Sequence, residues 1–203
     1  MGEYLNGQNM LLKSRHIYLR FLRKTDAVRL FAAVEESRNE LDQHVTGPIC
    51  LHSISEAEEL IERAKLRRRK RQGYYFGIFA SSTKKFVGYV NLHGTGEQNR
   101  SGEVGYWVRT SQAGKGIATT ATALIVLFGF KELKLHRIVL LAAVDNPASW
   151  RVAEKIGFVY DGVQRHEQHF QRGWVDLKCY SMLEDEYRKL RPKITKLARG
   201  KKD

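Results

Sequence analysis

The run Gln112-Ala113-Gly114-Lys115-Gly116-Ile117-Ala118 joins a predicted strand ending near Val108 to a long apolar helix. Glycines let main-chain N–H groups approach an anion closely, and a helix start adds unpaired donors and positive potential. Such a junction suits a pyrophosphate, each charge–dipole contact being worth about 0.3–1 kcal/mol when exposed and up to ~2 when partly buried. It is not a P-loop, which needs GxxxxGK followed by Ser or Thr, and it lacks the third glycine of a dinucleotide fingerprint. Taken alone, a GKG sequence fits a plain tight turn equally well. A second helix start, at Asn146-Pro147, puts Asn at the N-cap, Pro at the first position and Ser149 at the third. His136, His166 and His169 form neither HExxH nor a Cys/His cluster, so no metal is expected. Cys50 and Cys179 fit no zinc spacing and are too few for a disulfide scaffold, which points to a reducing cytosol.

These groups need a scaffold, and the hydrophobic pattern supplies one. His16 to Phe21 alternates as a strand, and Thr25 or Asp26 can cap a helix to about Ser37. A short helical piece at Asn39–His44 precedes an irregular stretch through His52. A helix over Glu56–Gln72 follows, with Ser55 and Glu58 as a capping box and Gly73 as its stop. Tyr74–Ala80 and Phe86–Leu92 read as a hairpin, and Glu103–Val108 as a further strand after the polar loop Gly94–Gly102. Ile117–Leu133 carries no charge through Phe130, which predicts a helix buried on most sides. Arg137–Ala143 is a continuous apolar strand, the helix from Asn146 stops at Gly157, and Val159–Gln168 and Val175–Leu183 are strands. The order is that of a mixed α/β sheet.

The chain has 203 residues, 42% hydrophobic and 28% charged, which suits one ordinary domain and excludes collagenous or mainly disordered classes. The longest apolar stretch, Ala121–Phe130, is too short to span a bilayer, and no signal-peptide core is seen near the start. Met1-Gly2 suggests myristoylation, but Asn6 stands where that signal needs Ser or Thr. A soluble cytoplasmic protein with no membrane partner is expected. The net charge of +13 resides in two segments: Arg63–Arg71 has seven bases and no acid, and Arg188–Asp203 has eight bases and one acid. The first is either a solvated helix end matched to its dipole or a patch meeting RNA, ribosome or an acidic partner. The second reads as a frayed helix or mobile tail. Residues 1–11 are then an N-terminal extension, 12–186 the domain and 187–203 a basic C-terminal tail.

Two stretches, SGEVGYWVRTSQAGKGIATTATALIVLFGF and RIVLLAAVDNPASWRVAEKIGFVYDGV, resemble the central motifs of the GNAT superfamily of acetyl-CoA-dependent N-acetyltransferases, more narrowly its RimJ/RimL-like group. SRHIYLRFLRKTDAVRLFAAVEESRNEL is similar to that group's opening segment, and the likeness runs from about Leu12 to Met182. It implies a mostly antiparallel central sheet flanked by helices, with splayed parallel strands forming the acetyl-CoA cleft. It implies acetyl-CoA as co-substrate, bound by Trp107, Val108, Ala113, Gly114, Lys115, Gly116, Ile117, Ala118, Thr119, Asn146 and Ser149. Ala113 stands where the family's loop usually has Arg or Gln, with Gln112 one step early. Many relatives carry a general-acid Tyr in the helix that here reads Val152-Ala153-Glu154, and Ser149 is the replacement that RimL-like enzymes suggest.

Within that resemblance, Glu103 is the candidate base or water-positioning carboxylate, and the Val108 backbone the oxyanion donor. Ser149 would protonate the departing thiolate or bind the cofactor. Glu167, Tyr160 and His169 lie on strands bordering the acceptor cleft, and Trp174 reads as core or a cleft wall. The expected acceptor is a primary amine, a protein N-terminus of ribosomal-protein type, acetylated directly in a ternary complex by a monomer or homodimer. The alternatives are a polyamine or antibiotic acetyltransferase and a non-catalytic CoA- or RNA-binding protein.

Overall fold

A computed structural model describes residues 10–44, 51–96 and 98–200. Cys50 and the Met1-Gly2 signal lie outside them. The strands are β1 (Leu11–Lys13), β2 (Ile17–Phe21), β3 (Gly73–Ala80), β4 (Phe86–Gly96), β5 (Ser101–Val108), β6 (Arg137–Ala143), β7 (Val159–Phe170) and β8 (Gly173–Leu183). They form one sheet in the order β1-β2-β3-β4-β5-β6-β8-β7. The helices are α1 (Ala27–Glu36), α2 (Arg38–His44), α3 (Ile54–Arg69), α4 (Ile117–Lys131), α5 (Pro147–Ile156) and α6 (Glu184–Ala198). No described helix is long and apolar enough to cross a membrane.

Alternation along the strands sorts side chains onto two covered faces. Tyr89, Phe79, Phe86 and Trp107 pack under α1 and α3, while Phe76, Val90, Leu92, Ile138 and Leu140 pack under α4, α5 and α6. Helix α4, uncharged through Phe130, is buried over most of its length, as its composition requires. Every strand pairing is antiparallel except β5 with β6, which α4 joins as a crossover. That parallel pairing covers only Ser101–Glu103 against Arg137–Val139. Beyond it the strands part, and a gap opens between Val104–Val108 and Leu140–Ala143.

Three expectations are corrected. The basic C-terminal run is no tail: through Ala198 it is α6, with Tyr187, Ile194, Leu197 and Ala198 buried against the core and the Tyr187 ring stacked on Phe130 at 4.5 Å. Its apolar stripe repeats at helical spacing, but dense charge between the apolar positions hides it. Helix α3 is capped by Ser53, whose hydroxyl accepts from the Glu56 N–H at 3.1 Å, rather than by Ser55. Two S-x-x-E spacings overlap here, and the earlier one also lets Glu56 accept from the His52 N–H at 2.9 Å. The stop of α3 falls at Arg71, a left-handed residue at φ 56°, so Gly73 is free to start β3.

Candidate active site

At the end of β5, the Arg109 N–H bonds to the Val87 carbonyl at 3.0 Å. Bonded and non-bonded positions alternate along an antiparallel ladder, so the Tyr106 and Val108 N–H groups turn away from β4 into the gap that β6 vacates. The chain then docks on the end of α1. The buried Ser37 hydroxyl accepts from the Thr110 N–H at 3.1 Å, and Glu36 accepts from the Ser111 N–H at 3.2 Å and pairs with Arg109. Hydrogen bonds from Ser111 and Arg109 hold the Glu36 carboxyl below its ordinary range.

On this anchored base the glycine turn is left-handed twice, at Gly114 (φ 73°) and Gly116 (φ 76°). A Cβ built at either glycine meets nothing within 4 Å, so backbone conformation requires glycine there and the space above the turn is open. The first helical bond runs from the Thr120 N–H to the Gly116 carbonyl at 3.0 Å. The N–H groups of Ile117, Ala118 and Thr119 therefore have no partner within α4. Lys115 folds back onto the Ser111 carbonyl (3.0 Å) and the Gln112 side chain (3.1 Å), bracing the loop from outside. Ala113 brings only a methyl, so the open side of this turn is main chain.

The opposite wall is the start of α5. Asn146 Oδ1 accepts from the Ser149 N–H at 3.1 Å, as capping requires. Tyr106 reaches across from β5: its hydroxyl donates to the Ser149 carbonyl at 2.9 Å and lies 3.1 Å from Ser149 Oγ. Burial pushes the Tyr106 phenol up to about 12, against the opposing effect of its Ser149 hydrogen bond. It stays protonated at neutral pH.

Glu103 faces His93 across the β4–β5 ladder, with Oε1 3.8 Å from Nε2. His93 Nδ1 lies 3.0 Å from Asn91 Oδ1. With that oxygen accepting, Nδ1 carries the hydrogen and Nε2 is turned to Glu103. Burial raises the Glu103 carboxyl above its usual range, the Glu167 charge adds to the rise, and His93 opposes it. A cavity of about 350 Å³ joins the two walls, touching Asn91, His93, Glu103, Tyr106, Asn146, Ser149 and Glu167. Glu167 gets there through an irregularity: His166 is left-handed at φ 50°, and the β7–β8 register slips between Gln164 and Gln168.

The structure therefore brings Glu103, Trp107, Asn146, Ser149 and Glu167 to one cavity, with Val108 at the end of the same strand wall. Trp107 is a buried wall residue packed edge-on against Phe86 at 6.0 Å. Tyr160 leans on Tyr180 and His169 packs edge-on against the exposed Trp174, and neither lines the cavity. Tyr106, His93 and Asn91 are additions that sequence reasoning missed. A signal was present: Asn91 and His93 alternate with Val90 and Leu92, which places two polar side chains on one face of an interior strand.

Residues 16–159 match the acetyltransferase (GNAT) domain family. The chain belongs to this family and is an N-acetyltransferase by fold and sequence. It is 31% identical over 175 residues to the protein named probable N-acetyltransferase YjcK of Bacillus subtilis, covering 85% of this chain and 97% of that one. It is 22% identical over 156 residues to the ribosomal-protein-serine acetyltransferase of Escherichia coli, covering 77% and 86%. The structure of Mycobacterium smegmatis RimJ in complex with CoA-disulfide superposes with a TM-score of 0.85 at 22% identity, covering 95% of this chain and 97% of that one.

Proposed function

We propose that this enzyme transfers acetyl from acetyl-CoA to a protein N-terminal α-amine by direct attack in a ternary complex. One observation carries the reading: where β5 and β6 part, a carboxylate–imidazole pair stands across one cavity from a pair of hydroxyls, and the strand lining that cavity leads into a turn with two left-handed glycines. The unpartnered N–H groups at the start of α4 take the pyrophosphate, with Gly114 and Gly116 allowing its close approach. Asn146 and the Val108 side of β5 flank the pantetheine arm.

The amine lone pair forms the C–N bond at the thioester carbonyl while the negative charge on oxygen is met by the Val108 N–H. Such a donor is worth about 2.7–4 kcal/mol. Collapse breaks the C–S bond, the amine proton passes to Glu103, and the thiolate takes a proton from the Ser149–Tyr106 hydroxyl pair. A covalent relay through Cys179 does not fit. The thiol is buried, points to Asp161 at 3.8 Å, and is raised in pKa by burial and that carboxylate.

The choice of amine rests on proton energetics. Deprotonating a lysine amine at pH 7 costs about 4.6 kcal/mol, an α-amine only about 1.1. A single raised carboxylate suits the second task. The name of the Escherichia coli relative, a ribosomal-protein-serine acetyltransferase, supports the same acceptor class.

The test is acetyl-CoA turnover over peptides with varied N-termini, polyamines and aminoglycosides, alongside thermal shift with acetyl-CoA. A preference for α-amines is expected, and stabilisation by acetyl-CoA without turnover of any amine would leave a binding protein instead. Gly116→Val probes the glycine turn. A β-branched residue in a left-handed position costs about 1–2 kcal/mol and projects over the anion path. Calorimetry is expected to show acetyl-CoA affinity reduced by about tenfold or more, since several charge–dipole contacts fail together. Unchanged affinity would place the pyrophosphate elsewhere.

A further inference from the structure

The positive charge of this chain has a location that acetyl transfer does not explain. A groove of about 980 Å³ between β2 and α3 is walled by Arg20, Arg23, Lys24, Lys65, Arg68 and Arg69. Three of these cations are neutralised: Arg20 by Asp26 at 2.7 Å, Lys24 by Glu58 at 3.2 Å and Lys65 by Glu62 at 3.2 Å. Arg23, Arg68 and Arg69 make no ion pair among the described residues. A helix dipole accounts for bases in the last turn of α3. It does not account for Arg20 on β2 and Arg23 just beyond it, which face the same space from another element.

Arg68 is the most constrained of the three. Its guanidinium lies 3.9 Å over the centre of the Phe21 ring, which is itself stacked on Phe76 at 4.5 Å. Burial and the neighbouring Arg69 both work against its charge. Folding thus gathers like charges that the protein leaves uncompensated, the kind of local conflict that sequences keep where a ligand relieves it. Guanidinium forks match phosphate oxygens, and a concave basic track suits a single strand. Phe21 is covered on both faces, so a base has no ring to stack on there.

We propose that this groove binds the phosphodiester backbone of a single nucleic-acid strand without base preference. The inference is independent of the acetyl acceptor and of turnover.

Fluorescence anisotropy of a labelled oligouridylate, titrated with the full chain across a salt series, tests it. The logarithm of affinity is expected to fall against the logarithm of salt with a slope of about −2, from three contacts at about 0.7 each. Arg68→Met is expected to weaken binding about fivefold or more and to reduce the slope by about 0.7, while the melting temperature holds or rises. That opposition separates a binding group from a structural one. Should Arg68→Met fail to fold, the exposed Arg69→Gln is expected to reduce the slope by the same amount. Removing Arg188 and Arg191 on α6 leaves the slope unchanged, as does saturating CoA. The proposal is overturned by absent binding at low salt, by a wild-type slope in the groove variants, or by displacement with CoA, which would put the strand at the glycine turn. Equal affinity and salt slope with polyglutamate would overturn it in favour of an acidic protein partner.

Discussion

Glu103→Gln is expected to lower kcat by about 10²- to 10⁴-fold, the range of a positioned general base, with the KM for acetyl-CoA nearly unchanged. The amide keeps the size and polarity of the side chain, so the cavity and the glycine turn are preserved while proton acceptance is lost. The pH profile carries the sharper signature. The base must be ionised, and burial together with Glu167 raises its carboxyl while His93 opposes the rise. The acid limb of kcat/KM therefore falls at a higher pH than for an exposed glutamate, whose pKa is about 4.3. In Glu103→Gln that limb disappears. A variant with the wild-type rate and profile would remove Glu103 from the mechanism.

Asp26→Ala is expected to destabilise the fold by about 3–5 kcal/mol, measured by denaturant unfolding, because it strands a partly buried arginine. Asp26 is 2% exposed. It accepts from Arg20 Nη1 at 2.7 Å, from Arg20 Nη2 at 2.8 Å and from the Arg23 N–H at 2.8 Å. It thereby ties β2 to the turn that starts α1. Burial disfavours its charge, yet the Arg20 and Arg23 hydrogen bonds prevail and hold the carboxyl below its usual range. A depressed carboxyl stabilises the fold above its unfolded pKa of about 3.9, and the contribution is lost as pH falls through the lower folded value. Wild type and variant should accordingly differ fully at neutral pH and converge only under acid conditions. A constant gap down to acid pH would mean that packing, not the ion pair, is what the substitution removed.

Local chemistry was legible in the sequence except at the cap and stop of α3, and distant pairing was not. Gly114, Gly116, Asn146 and Gly157 act through the backbone within a few residues, so their loops and caps could be placed from spacing alone. Glu103 could be placed because the strand leading to the glycine turn is contiguous with it. His93 and Tyr106 depend on partners brought close by folding. His93 meets Glu103 through the β4–β5 register, and Tyr106 meets Ser149 from 43 positions away. The same limit applies to the groove, where Arg68 and Phe21 come from segments that no local pattern connects. Helix α6 was obscured differently: the stripe of Tyr187, Leu190, Ile194 and Leu197 was present, but bases crowded between its members.

The link from Tyr106 to Ser149 has a consequence for turnover. Both walls of the gap are set before any ligand arrives: β5 is fixed by β4, β6 by β8, and the phenol pins the start of α5. A receptor so preorganised has little ordering left to lose on association. On the proposed reading, the free thiol of CoA would meet the same surface as the thioester. The two differ only by an acetyl group, so CoA is expected to compete with acetyl-CoA, which product-inhibition kinetics would check.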